Sequence, residues 1–164
     1  MIMSIRTKGH NMSSGRIKGH NISRIRYKGQ DIYKDSEPFY WIKNGSVQSG
    51  FPSTYSISKS PSQVWTKNLL TNFYCSCGSL GSTGYLSGST SKVETKGNKY
   101  MSITVTFDIA HGGGSFSING TTITTAGTHI IDVSNVDSVS ISASLWSYAY
   151  SATGSAITNI YFYS

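Results

Sequence analysis

The sequence predicts an all-β protein: an N-terminal antiparallel meander of short strands in ten-residue repeats, followed by a β-sandwich or jelly-roll domain with at most one short helix. Three observations carry this expectation. Lys99–Ile109 alternates Met101, Ile103, Val105, Phe107 and Ile109 with polar residues, the pattern of a strand with one buried and one wet face. Asn119-Gly120 stands between two short strand-like runs and is the strongest short hairpin signal a sequence can carry. Only 13% of residues are charged, and Gly, Ser, Thr, Asn and Tyr fill the gap, a mixture that favours strands and tight turns over amphipathic helices.

The repeats come first. RTKGHNM, RIKGHNI and RYKGQDI recur every ten residues, with Lys8-Gly9, Lys18-Gly19 and Lys28-Gly29 in step. Gly takes positive φ at low cost and Asn or Asp tolerates it, so turns are expected near 8–11, 18–21 and 28–31. The strands between them alternate poorly. Ile22 shares a face with Arg24 and Arg26, while Ile25 and Tyr27 share the other. Such a ribbon buries too little apolar surface to stand alone and needs a surface to lie on.

Asp35-Ser36-Glu37-Pro38 marks a change of composition, which divides the chain into an arm, 1–34, and a body, 35–164. In the body a short helix is expected at 61–72: Ser60 before Pro61 fits an N-cap and first turn, Gln63 fits a capping box, and Trp65 and Leu69 are spaced for one face. Strands are expected at 99–109, 115–118, 121–124, 129–133, 139–145 and 157–163, with turns at Gly127, Asn135 and Gly154 and a glycine loop at 112–114. The last strand should tie the C-terminus into a sheet.

Charge separates the two parts. Residues 1–34 hold eight basic side chains and one acid, and the other 130 residues hold six of each, so the whole net charge of +7 sits on the arm. Arg6, Lys8, Arg16, Lys18, Arg24, Arg26 and Lys28 are the candidate anchoring residues. Phosphate neutralisation by these cations is conceivable chemistry, but Tyr27 is the one aromatic before Tyr33 and there is no base-stacking platform. Docking on protein is therefore favoured over nucleic acid. No apolar run approaches the ~20 residues of a membrane span, and MIMSIR turns polar at once, so neither a membrane nor a secretory signal is expected. The sequons at Asn11, Asn21, Asn44 and Asn119 are then products of composition. Cys75 and Cys77 would point to one face of a strand, with poor geometry for a disulfide, and fit a reducing compartment.

Catalytic signals are weak. His111-Gly112-Gly113-Gly114 spells an oxyanion-hole phrase, but no G-x-S-x-G accompanies it. Asp108 with Asp132 is the best carboxylate pair for glycoside hydrolysis, yet Asp at strand ends is usually turn chemistry. His10 and His20 hold equivalent places where the third repeat has Gln30, which breaks a metal-binding series. No catalytic residue, metal or cofactor is expected, and the protein reads as a non-enzyme. Trp146, Tyr148 and Tyr150 would share a sheet face if extended. Such a strip suits a sugar or receptor surface. Burial in the core or in a Tyr- and Trp-rich subunit interface is the favoured alternative.

Ile17-Lys18-Gly19-His20-Asn21-Ile22 and Ile25-Arg26-Tyr27-Lys28-Gly29-Gln30-Asp31-Ile32 resemble the short tandem phrases that open many bacteriophage and prophage virion proteins. The resemblance covers about thirty-four residues, and no coiled-coil shaft follows them. It implies a virion appendage made in the host cytoplasm: a head or tail fibre, or a decoration protein. The arm would attach to other virion proteins of capsid or tail, and the sandwich would face outward for host attachment. A homotrimer is the assembly it implies. A carbohydrate-binding or host-surface adhesin module, with a cell-surface glycan as partner, is the alternative.

Overall fold

The computed structural model describes residues 36–164 and, ahead of them, the backbone of four short strands: β1 (Arg16–Ile17), β2 (His20–Asn21), β3 (Arg24–Tyr27) and β4 (Gln30–Lys34). β1 pairs antiparallel with β2, Ile17 opposite His20, and β3 with β4, Tyr27 opposite Gln30. The chain between the paired ends is Lys18-Gly19 in one hairpin and Lys28-Gly29 in the other. His20-Asn21 and Gln30-Asp31, each expected within a turn, are strand. The described residues of this part form two separate two-stranded sheets. The turn expected at 8–11 lies outside the described residues. By contacts the chain divides into residues 1–36 and 37–164.

The body is all strand and turn. In chain order it contains β5 (Phe39–Lys43), β6 (Ser46–Val47), β7 (Ser56–Ser60), β8 (Val64–Leu69), β9 (Asn72–Cys77), β10 (Thr83–Ser89), β11 (Val93–Glu94), β12 (Tyr100–Ile109), β13 (Gly112–Ile118), β14 (Thr121–Ile123), β15 (Gly127–Asp132), β16 (Ser138–Val139), β17 (Ser142–Tyr148) and β18 (Ala152–Tyr163). One antiparallel sheet runs β14-β13-β17-β10-β7. The larger one runs β15-β12-β18, and then the length of β18 serves two partners: its start pairs with β9, which carries β8, and its end pairs with β5, which carries β6. From β9 onward the long strands alternate between sheets: β10 lies in the smaller, β12 in the larger, β13 and β14 in the smaller, β15 in the larger, then β17 and β18 one in each.

Both sheets feed one core. Alternate residues of β12 (Met101, Ile103, Val105) and of β17 (Ala143, Leu145) are buried in the same cluster as Leu86, Phe116, Ile131, Ile160 and Phe162. Each of these buried side chains other than Ala143 contributes about 1.5–3 kcal/mol relative to exposure. Trp41 and Ile42 are both buried although adjacent. A register shift between β5 and β18 allows it: Ile160 opposes Ile42 while Tyr161 opposes Tyr40, so Trp41 is the extra residue of a bulge. Its indole N–H donates to the Pro52 carbonyl at 2.8 Å, which satisfies the one polar atom it brings inside.

Four local expectations are corrected. No helix forms at 61–72; the segment is a turn followed by the β8–β9 hairpin. The Val64 N–H donates to the Pro61 carbonyl at 3.2 Å, closing that turn, and Trp65 and Leu69 are both exposed on one face of β8. A spacing of four residues is shared by helix and strand periods, and here the strand prevailed. Gly112, Gly113 and Gly114 are not a loop but the first residues of β13, opposite Ser147, Trp146 and Leu145. Gly154 is not a turn but mid-strand, opposite Asp108; the turn lies earlier, at Ala149-Tyr150. The strand expected at 139–145 is broken into β16 and β17, with Ser140-Ile141 between them.

Candidate functional site

The outer face of the smaller sheet is built by four strands whose outward residues line up in rows. Ser117, Ser142, Ser89 and Ser56 form one row across β13, β17, β10 and β7. Two residues along, Ser115, Ser144, Ser87 and Ser58 form the next. The third row is Gly113, Trp146, Tyr85 and Ser60. In β10, β13 and β17 the alternate residues point inward, as Leu86, Phe116 and Leu145 do, which turns the hydroxyls outward, whereas every residue of the edge strand β7 is exposed. Small side chains over four strands leave a shallow groove of about 420 Å³ lined by the eight serines of the first two rows with Gly88 and Ala143. No charged side chain lines it.

The third row, next to the groove but outside its lining, is aromatic. Trp146 is 42% exposed and Tyr85, directly across from it, 57% exposed. The lack of a side chain at Gly113 makes room for the indole: a Cβ there would stand 2.5 Å from Trp146 Nε1. Tyr148 follows on the same face at 47% exposure. Tyr150 lies beyond the end of β17 in a turn, at 69% exposure and φ 53°, beside Ala149 at φ 36°. None of these four rings stacks on another aromatic of the described residues. The tyrosines outside the larger sheet differ. Tyr40 packs on Tyr161 at 4.6 Å, Tyr161 on Tyr163 at 5.5 Å and Tyr163 on Tyr100 at 5.6 Å, with the Lys43 ammonium 5.2 Å over Tyr40. Those rings pack on each other, whereas Trp146, which rests on Gly113, and Tyr85 pack on no other ring of the described residues and remain exposed.

The residues singled out in the sequence therefore lie as follows. Trp146 and Tyr148 share an exposed strand face, and Tyr150 does not extend it as a strand residue but lies exposed in the turn that follows; all three are surface, not core. Arg16 lies in β1 opposite Asn21, and Arg24 and Arg26 in β3 opposite Lys34 and Asp31. Arg6, Lys8, Lys18 and Lys28 lie outside the described residues. Asp108 and Asp132 mark opposite ends of β12, because Asp132 pairs with Tyr100, eight residues from Asp108. At about 3.3 Å per residue they stand roughly 26 Å apart, too far to flank one glycosidic bond. The Asp132 carboxylate accepts bonds from the Ser134 hydroxyl at 2.6 Å and its N–H at 2.8 Å, and these hold its pKa below the usual range. Cys75 and Cys77 are both free and buried on one face of β9.

Tyr85 and the serine rows escaped the sequence reading. Their signal was there: S-x-S recurs at Ser56–Ser60, Ser87–Ser89, Ser115–Ser117 and Ser142–Ser144, each within a strand. No protein-family model matches this chain, and no curated protein matches it either.

Proposed function

We propose that the body is a non-enzymatic recognition head that binds a glycan on the outer face of its smaller sheet, and that the basic arm anchors it to a larger assembly, a virion in the resemblance stated above. The observation that carries the first half is the exposed Trp146–Tyr85 pair in the row next to a hydroxyl-lined groove. Aromatic faces pack on the apolar faces of sugar rings, and serine hydroxyls donate to and accept from sugar hydroxyls. A shaped depression with a few fixed polar groups is the usual form of a small-molecule site. The second half rests on the charge: all of the net +7 lies within residues 1–34, in a segment with strands short enough to add to another protein's sheet. A homotrimer displaying three heads would raise weak glycan affinity by avidity.

The test is a glycan array probed with the full chain beside Trp146→Ala and Tyr85→Ala. Binding that is lost in both variants while the far-ultraviolet spectrum is unchanged supports the reading. Binding that survives both excludes this face as the site. The arm is tested separately by incorporation into particles: a chain lacking residues 1–34 that still incorporates excludes the anchor.

A further inference from the structure

Resting on that reading of the groove, we infer that its ligand is a neutral oligosaccharide of at least about three sugar units, one ring seated on Trp146 and the others running over the serine rows. Three features of the face carry this.

The first is charge. The groove is lined by serines, Gly88 and Ala143 and holds no Lys, Arg or His. Lys59, which lies on the flanking strand β7, alternates away from Ser58 and Ser60, and its ammonium donates to the Val64 carbonyl at 3.1 Å. A sialic or uronic acid carboxylate would find no charge-assisted partner here, so an acidic sugar gains nothing over a neutral one.

The second is length. Successive outward residues of a strand are about 6.6–6.8 Å apart, so the distance from Trp146 through Ser144 to Ser142 is about 13–14 Å, room for about two rings beyond the one on the indole. The aromatic row stands at one end only, which gives the groove a direction.

The third is the chemistry of the floor. Serine hydroxyls in register on neighbouring strands, about 4.8 Å apart, each rotate to donate or accept. Such a surface satisfies a polyhydroxylated chain at many points with little demand on the identity of each hydroxyl. The aromatic site is expected to fix the chain, and the serine rows to reward its length.

The experiment is calorimetric titration of the full chain with neutral oligosaccharides of one to six units that score on the array, and with uronic-acid counterparts of matched length. The variants are Trp146→Ala, Ser144→Val and the milder Ser144→Ala. Affinity should climb from one unit to three and then level off, and should be the same at low and high salt. Ser144→Val and Ser144→Ala should weaken the three-unit ligand severalfold and leave the single sugar unchanged, while Trp146→Ala weakens every length at least tenfold. A preference for acidic sugars, a flat length series, or an intact three-unit affinity in both Ser144 variants overturns the inference while leaving the Trp146 effect standing. Loss of that effect overturns the glycan reading itself.

Discussion

Gly113 and Trp146 face each other across β13 and β17, and the indole occupies the space where any other residue at 113 would place its Cβ, 2.5 Å from Nε1. The absence of one side chain thus sets the attitude of the most prominent ring on the surface. Gly113→Ala is expected to lift the indole from its seat and weaken ligand binding at least tenfold. Because the displaced group is an exposed side chain, stability should change by less than about 1 kcal/mol. Gly112→Ala makes the contrast. There a Cβ runs into the Trp146 carbonyl and the Thr153 hydroxyl, which cannot swing aside, so a loss of about 2–3 kcal/mol in urea denaturation is expected. Equal destabilisation by the two variants would show that the indole is not what Gly113 accommodates.

Tyr55 is buried against Phe73, with ring centroids 4.7 Å apart, and its hydroxyl finds no partner. Burial raises its pKa above the ordinary 10.0. The folded state then holds this proton more tightly than the unfolded chain, so the stability it contributes is complete below pH 10 and is lost as pH rises above it. Cys75, pushed up to about 11 by burial and then by neighbouring Cys77, acts in the same direction from about pH 9 upward. Tyr55→Phe should flatten the alkaline fall in part and be neutral or stabilising by up to about 1 kcal/mol at pH 7, since the orphan hydroxyl goes. Thermal melts at pH 7, 9, 10 and 11 read both effects. An unchanged alkaline slope would mean that Tyr55 reaches solvent when ionised.

Much of the fold was legible because its signals are local. The alternation from Met101 to Ile109 is β12, and Asn119-Gly120 is the turn between β13 and β14, with φ of 47° and 78°. The errors arose where local signals are ambiguous or silent. Trp65 and Leu69 fit helix and strand alike. Three consecutive glycines carry no period, so the start of β13 looked like a loop, and the reason for those glycines lies in tertiary neighbours: Trp146 and Thr153 for Gly112 and Gly113, and Leu145 with Phe107 for Gly114. The aromatic strip was visible as W-x-Y-x-Y, but which side of the sheet it occupies depends on what Leu145 and Ser147 pack against. The serine rows are the clearest case. Each S-x-S is readable within its strand, and only the cross-strand register turns four of them into one surface.

Thr153 and Ser147 point inward from β18 and β17, fully buried, and neither hydroxyl has a hydrogen-bond partner within the protein. Ser155, one step along the same face of β18, is in the same condition. A buried polar group left unpaired costs about 1–3 kcal/mol. Thr153→Val keeps the shape and removes the hydroxyl, so it should stabilise the protein by about 1 kcal/mol, a rise of a few degrees in Tm. Ser147→Ala should be neutral to slightly stabilising. A fall in Tm for both variants would instead locate a buried water bridging the two strands, and the double variant would then lose less than the sum of the singles.

The turn from β17 to β18 is made by two residues that seldom make one. Ala149 and Tyr150 both adopt positive φ, and the Ser151 N–H closes the turn on the Tyr148 carbonyl at 3.2 Å. Positive φ at both central residues is the geometry that Asn-Gly serves at low cost. Each ordinary residue in this region costs about 1–2 kcal/mol. The Ala149 N–H also donates to the Ser82 carbonyl at 3.0 Å, which ties the strained turn to the β9–β10 loop. Replacing Ala149-Tyr150 by Asn-Gly should therefore stabilise the body by about 1–3 kcal/mol. If stability alone governed this turn, Tyr150 would have no reason to stand there. Its ring is the most exposed of the four and stands in the turn that directly follows the strand of Trp146 and Tyr148. The Asn-Gly variant is accordingly expected to melt higher and to bind its ligand less tightly, and Ala149→Asn alone to gain stability at unchanged affinity. A more stable double variant with full affinity would remove Tyr150 from the site and leave Trp146, Tyr85 and Tyr148 to carry it.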